Sequence, residues 1–160
     1  MISRPGAGEH AACWDEVARA WALPLVQESK ELTKVPVISV IDDDASVRTA
    51  INNLVTSLGH TVHVFDSAEA FLQSAQLNNT CCVIADIRMP AMSGIELQSH
   101  LRIQGNRVPF VFITAVPEES VRTRAFEDGA ICFLTKPFDA DDLIRCLGTA
   151  VERSRNGAGG

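Results

Sequence analysis

The chain has 160 residues, a formal net charge of −6, 46% hydrophobic residues and 21% charged residues. That length suits one domain with a sizeable core. The acidic balance argues against nucleic-acid binding by this segment, and no apolar run approaches a membrane span or opens the chain as a signal peptide.

Residues 1–34 read as an N-terminal extension, helical or disordered. Trp14, Val17, Ala18 and Trp21 stand at helical spacing, so Glu9–Leu23 reads either as an amphipathic docking helix or as a poorly ordered leader. Strands and helices then alternate. Val37–Ile41 is a short apolar run. Ala45–Leu58 carries Val47, Ile51, Leu54, Val55 and Leu58 on one helical face, with Gly59 as its stop. Thr61–Phe65 reads as a strand, and Ser67 caps a helix from Ala68 to about Ser74. Residues 81–85 form the third strand, and residues 94–102 the helix after it. Pro109 precedes the strand 110–113. Pro117, Glu118 and Glu119 open a helix that Gly129 closes. Ile131–Leu134 is the last strand, Ala140–Val151 the last helix, and 153–160 a flexible tail. Five such units predict an α/β, doubly wound five-stranded parallel sheet of (βα)5 type, with residues 35–152 as one domain. Of the five cysteines, Cys81, Cys82 and Cys132 lie inside apolar runs. No pair has zinc-site spacing, which reads as free thiols in a reduced, cytoplasmic protein.

The short runs are rich in β-branched and aromatic residues, as in strands buried on both faces. In an open parallel sheet, ligands bind beyond the carboxyl ends of the strands. Asp42, Asp43 and Asp44 follow the first strand, Asp86 the third, Thr114 the fourth, and Lys136-Pro137-Phe138 the fifth. Asp44 fits a helix N-cap. Asp42 and Asp43 exceed what a cap needs, and their crowding favours a cation with oxygen ligands, Mg2+ above all. Asp86 reads either as a turn former or as a carboxylate nucleophile beside such a cation. The loop after it offers a backbone carbonyl to the cation. Thr114 is either a plain strand residue or a hydroxyl for a phosphoryl oxygen. Lys136 is either solvated or aimed at the rim by the following Pro137, where a cis bond is affordable.

In order and spacing this set resembles the CheY-like receiver domain of two-component response regulators. Asp43, Asp86, Thr114 and Lys136 are separated by 43, 28 and 22 residues. The stretches 64–72, 86–94 and 133–138 are most similar to the FixJ-type branch. The resemblance covers about Val37–Val151 and implies a flavodoxin-like fold and a phosphorelay role. Asp86 would accept a phosphoryl group from the phosphohistidine of a sensor histidine kinase or phosphotransfer protein. Mg2+ would be held by Asp42, Asp43, Asp86 and the backbone carbonyl of Arg88, while Thr114 and Lys136 read the phosphate. Phe133 stands where the family often has Tyr, as a switch aromatic or a plain core residue. The resemblance also implies a homodimer through the fourth helix, fifth strand and fifth helix.

Arg88 and Val116, two residues past the acceptor and the hydroxyl, imply slow self-dephosphorylation and no other enzyme activity. The chain is then expected to be a stand-alone receiver or the receiver piece of a transcriptional regulator. The alternatives are a phosphorylation-independent pseudo-receiver that acts as an interaction module, and a magnesium phosphatase. The latter needs a second acid where Arg88 stands.

Overall fold

The computed structural model describes residues 35–159; the expected leader helix lies outside them. Five strands and five helices alternate: β1 (Val37–Ile41), α1 (Ala45–Ser57), β2 (Thr61–Phe65), α2 (Ala68–Leu72), β3 (Cys82–Asp86), α3 (Gly94–Ile103), β4 (Phe110–Thr114), α4 (Glu119–Glu127), β5 (Cys132–Thr135) and α5 (Ala140–Gly159). The sheet is wholly parallel with order β2-β1-β3-β4-β5. This is the doubly wound five-stranded parallel architecture expected from the sequence.

The run lengths explain the order. Every residue of β3 and β4 is buried, as expected of interior strands covered on both faces. Alternation divides their side chains between two cores. Cys82, Ile84, Val111 and Ile113 pack with Ile51 and Val55 of α1 and Leu143 and Leu147 of α5. Val83, Ala85, Phe110 and Phe112 pack with Phe71 of α2, Leu97 and Leu101 of α3 and Ala125 of α4. Each such aliphatic or aromatic side chain contributes roughly 1.5–3 kcal/mol by leaving water.

Local chemistry sets the helix ends. Asp44 caps α1 by accepting from the Ser46 amide, as its position suggested. Gly59 follows with φ +94°, a left-handed conformation that glycine adopts without steric cost. Ser93 and Glu96 form a reciprocal capping box at α3.

Two expectations are corrected. The tail expected from residue 153 is helical, because α5 continues to Gly159. No proline interrupts it, and Arg153 donates to the Gly129 carbonyl at 3.3 Å, tying that turn to the loop between α4 and β5. Nor is Cys132 a free thiol, since a disulfide joins it to Cys146. Helix α5 crosses β5 so that the two Cα atoms lie 6.0 Å apart, within the span a disulfide bridges. Cys81 and Cys82 are free.

Gly94 shows how tightly α3 is set against the sheet. A Cβ there would lie 2.5 Å from the Asp86 carbonyl oxygen and 3.1 Å from a Phe112 ring carbon. Backbone cannot yield as a flexible side chain can. Gly94→Ala is therefore expected to cost about 2 kcal/mol of unfolding free energy, measured by urea denaturation.

Candidate functional site

The carboxyl ends of β1, β3, β4 and β5 form one rim. Asp42 directly follows β1, Asp86 ends β3, Thr114 ends β4, and Lys136 follows β5. The Lys136 amide donates to the Thr114 carbonyl at 2.8 Å, so the chain is still paired with β4 as it leaves the sheet. Asp42, Asp86 and Lys136 continue the alternation of the residues that face α1 and α5, which brings them up on one side of the rim. The Lys136–Pro137 bond is cis, as the sequence allowed.

The side chains meet there. Lys136 Nζ lies 3.0 Å from Asp42 Oδ2 and 3.4 Å from Asp86 Oδ2. Asp42 is fully buried and Asp86 nearly so, whereas Asp43 is exposed. Carboxylate oxygens of Asp42, Asp43 and Asp86 lie within 4.8 Å of one another. Further hydrogen bonds hold the cluster: the Asp44 amide donates to Asp42 Oδ1 at 2.9 Å, the Arg48 guanidinium to the Asp42 carbonyl at 2.7 Å, and the Arg88 amide to Asp86 Oδ1 at 3.3 Å.

Two buried carboxylates thus face one ammonium, with a third, Asp43, close beside them. Burial raises the Asp86 carboxyl above its ordinary value, and the charge of Asp42 adds to this; Lys136 and the Arg88 amide pull the other way without cancelling it. For Lys136, burial disfavours the charged form. The hydrogen bond and charge of Asp42, joined by Asp86, outweigh burial and hold the ammonium above its ordinary value. The lysine is firmly cationic and the Asp86 carboxylate unusually basic. The donor set is all oxygen and carries excess negative charge, which fits a small hard dication such as Mg2+.

Thr114 is fully buried. Its hydroxyl donates to the Val116 carbonyl at 3.2 Å and accepts from the Val116 amide. The side chain therefore stands at the rim but is engaged with its own loop. Phe133 is half-buried beside Phe112, its partner in the strand register, and packs against the core under α4.

Some of the site is invisible in the sequence. The Arg88 guanidinium pairs with Glu118 at 2.6 Å, thirty residues away. This bridge joins the β3–α3 loop to the start of α4 and lines an open cleft of about 800 Å³ with Met89, Pro90, Ser93 and Arg124. Ala91 in that loop has φ 66°, which costs a residue bearing a Cβ about 1–2 kcal/mol. No periodicity or motif announces either feature.

With this geometry established, comparison with known proteins decides the family. Residues 38–147 match the family described as "Response regulator receiver domain". The chain belongs to that family. This receiver is 40% identical over 116 residues to the response regulator protein TmoT of Ectopseudomonas mendocina, covering 72% of this chain and 53% of TmoT. It is 36% identical over 121 residues to the transcriptional regulatory protein FixJ of Bradyrhizobium diazoefficiens, covering 76% and 59%. The crystal structure titled FixJ-N superposes with a TM-score of 0.67 at 32% identity, over 74% of this chain and 95% of that one. The receiver spans between half and three fifths of the length of these two curated relatives.

Receiver domains serve two-component systems and interact with histidine kinases. The family generally binds Mg2+, and Asp42, Asp43 and Asp86 are the acidic cluster on which it would do so. Among the described residues, no helix is long and apolar enough to cross a membrane.

The two ion pairs should differ in energetic weight. Lys136→Met leaves the buried Asp42 carboxylate without its cation and is expected to cost about 3 kcal/mol of stability. Arg88→Ala breaks a pair whose side chains are both more than half exposed and should cost less than about 1 kcal/mol. Urea unfolding of both variants at neutral pH and moderate salt checks the contrast.

Proposed function

We propose that this receiver takes a phosphoryl group from a phosphohistidine of a sensor histidine kinase or phosphotransfer protein onto Asp86. The observation that carries the reading is the position of Asp86. Its carboxylate ends the central strand at 3.4 Å from the Lys136 ammonium and within 4.8 Å of the Asp42 and Asp43 oxygens. A pseudo-receiver lacking phosphorylation chemistry has no need of that crowding, which costs Coulomb energy. The phosphatase reading fails because Arg88 stands where a second acid would act.

In this reading an Asp86 oxygen attacks phosphorus in line with the departing imidazole nitrogen. Asp42, Asp43 and Asp86, with the backbone carbonyl of Arg88, would hold Mg2+. When bound, Mg2+ supplies positive charge against the developing phosphoryl charge. Lys136 neutralises a further phosphoryl oxygen as a point charge. Thr114 exchanges its Val116 contacts for a phosphoryl oxygen, and Phe133 follows it inward. That movement alters the face made by α4, β5 and α5, through which two phosphorylated copies pair.

The chain is its own substrate and turns over no other. Arg88 is drawn away to Glu118, and Val116 offers an apolar side chain, so neither positions an attacking water. Slow hydrolysis of the aspartyl phosphate follows. The compartment is the cytoplasm, where the phosphodonor is made. FixJ is named as a transcriptional regulatory protein, and about three fifths of it is matched here. That supports a receiver controlling transcription through an output segment or partner rather than by touching DNA itself.

Incubation with acetyl phosphate and Mg2+ should add one phosphoryl group by intact-mass measurement, and Asp86→Asn should take none. The phosphorylated form should persist for minutes or longer; decay within seconds would count against the roles given to Arg88 and Val116. Separately, Mg2+ at roughly a hundredfold excess over its dissociation constant should raise the unfolding free energy by about 2.7 kcal/mol. Asp43→Ala should remove that increment in thermal denaturation.

A further inference from the structure

The Cys132–Cys146 disulfide lies outside the rim, yet it encloses part of it. The two cysteines are 14 residues apart. Between them run Phe133, Thr135, Lys136, the cis Pro137, and the first turns of α5. Cys132 is half-buried and on the same side of β5 as Leu134, facing α5; Cys146 is buried, 6% exposed, on the inner face of that helix. Edge strand β5 has a neighbouring strand on one side only. The bond therefore fastens this edge strand to the helix behind it and closes a loop around the phosphate-reading lysine.

The two free cysteines among the described residues differ in surroundings. Cys82 is fully buried in β3, where burial, and then its neighbour Cys81, push its thiol upward. Cys81 is partly exposed but has no bonded partner. Cys132 combines partial exposure with a second sulfur in reach. Such a pair can exchange with small thiols and disulfides.

We propose that Cys132 and Cys146 form a reversible oxidative modification site that couples thiol redox state to the mobility of the Lys136 segment, and through it to phosphoryl acceptance. The proposal rests on the phosphoacceptor reading above. The oxidant class is a low-molecular-weight disulfide, RSSR. The Cys132 thiolate attacks one sulfur of RSSR, forming a mixed disulfide and releasing RS−. The Cys146 thiolate then displaces the second RS−, closing the intramolecular bond. The two thiol protons go to the two RS− ions, so the protein loses two electrons and two protons and RSSR becomes two RSH. Excess RSH reverses both steps. Closure restricts the backbone between the two cysteines, because a cross-link removes open conformations of the segment it spans.

The test compares the full chain equilibrated with reduced or oxidised glutathione. Peptide mapping after alkylation should find Cys132 linked to Cys146 in the oxidised sample and both alkylated in the reduced one. Hydrogen exchange over residues 133–140 should slow roughly tenfold on oxidation. Acetyl-phosphate labelling of Asp86 should differ between the two states by about threefold or more. Cys146→Ala and, separately, Cys132→Ala should each label like the reduced protein under both conditions.

Absence of the cross-link, or equal exchange and equal labelling in the two states, overturns the proposal. Redox-dependent exchange with no labelling in either state overturns the phosphoacceptor reading, and with it the coupling, while leaving the modification site standing. Equal labelling with intact cross-linking overturns the coupling alone.

Discussion

One ammonium holds this rim together. Asp42 is buried at the end of β1, and a buried carboxylate without a cation is costly enough that proteins rarely carry one. Lys136 supplies the cation from the far side of two intervening strands, and the same group reaches Asp86 on β3. The carboxyl ends of β1, β3 and β5 are thus joined across the sheet by electrostatics as well as by main-chain ladders. The arrangement stays short of neutral. Burial and the Asp42 charge keep the Asp86 carboxyl more basic than usual, and the surplus negative charge is what a hard dication can satisfy. Stability and the proposed phosphoryl chemistry place opposite demands on this cluster. One lysine meets the first without fully meeting the second.

Much of this was legible because the relevant signals are local. Asp42, Asp86, Thr114 and Lys136 each close an apolar run, and parallel strands bring run ends to one edge whatever the loops do. The N-caps Asp44 and Ser67 were readable for the same reason: a side chain and an amide two or three positions on suffice. What escaped depends on which elements pack together in space. The Arg88–Glu118 bridge spans loops thirty residues apart. The Cys132–Cys146 bond needs α5 to cross β5 with matching phase, and a spacing of 14 residues advertises no such crossing. The close approach of Gly94 to the Asp86 carbonyl is likewise set by how α3 seats on the sheet. The length of α5 was underestimated because its polar end resembles a tail until Arg153 is seen bonded to the Gly129 carbonyl.

The hydroxyl of Thr114 illustrates a different kind of gap. Its residue type and place were evident, but its present hydrogen bonds were not. A hydroxyl can donate and accept by rotating one bond, so it satisfies itself on Val116 at little cost and can exchange those partners for others of similar strength. The balance between the two arrangements is set by what else occupies the rim.

Strand order gives the molecule a mechanical direction. Asp86 hangs from β3, which is laddered on both sides and sealed above and below, the stiffest part of the sheet. Phe133 and Cys132 sit on β5, laddered on one side and the easier to displace. If Asp86 gains a phosphoryl group as proposed, the added charge would meet the most constrained strand, and β5 is the nearer edge that could yield through β4. On that reading the sheet would act as a clamped beam, loaded near its fixed middle and moving at its free margin.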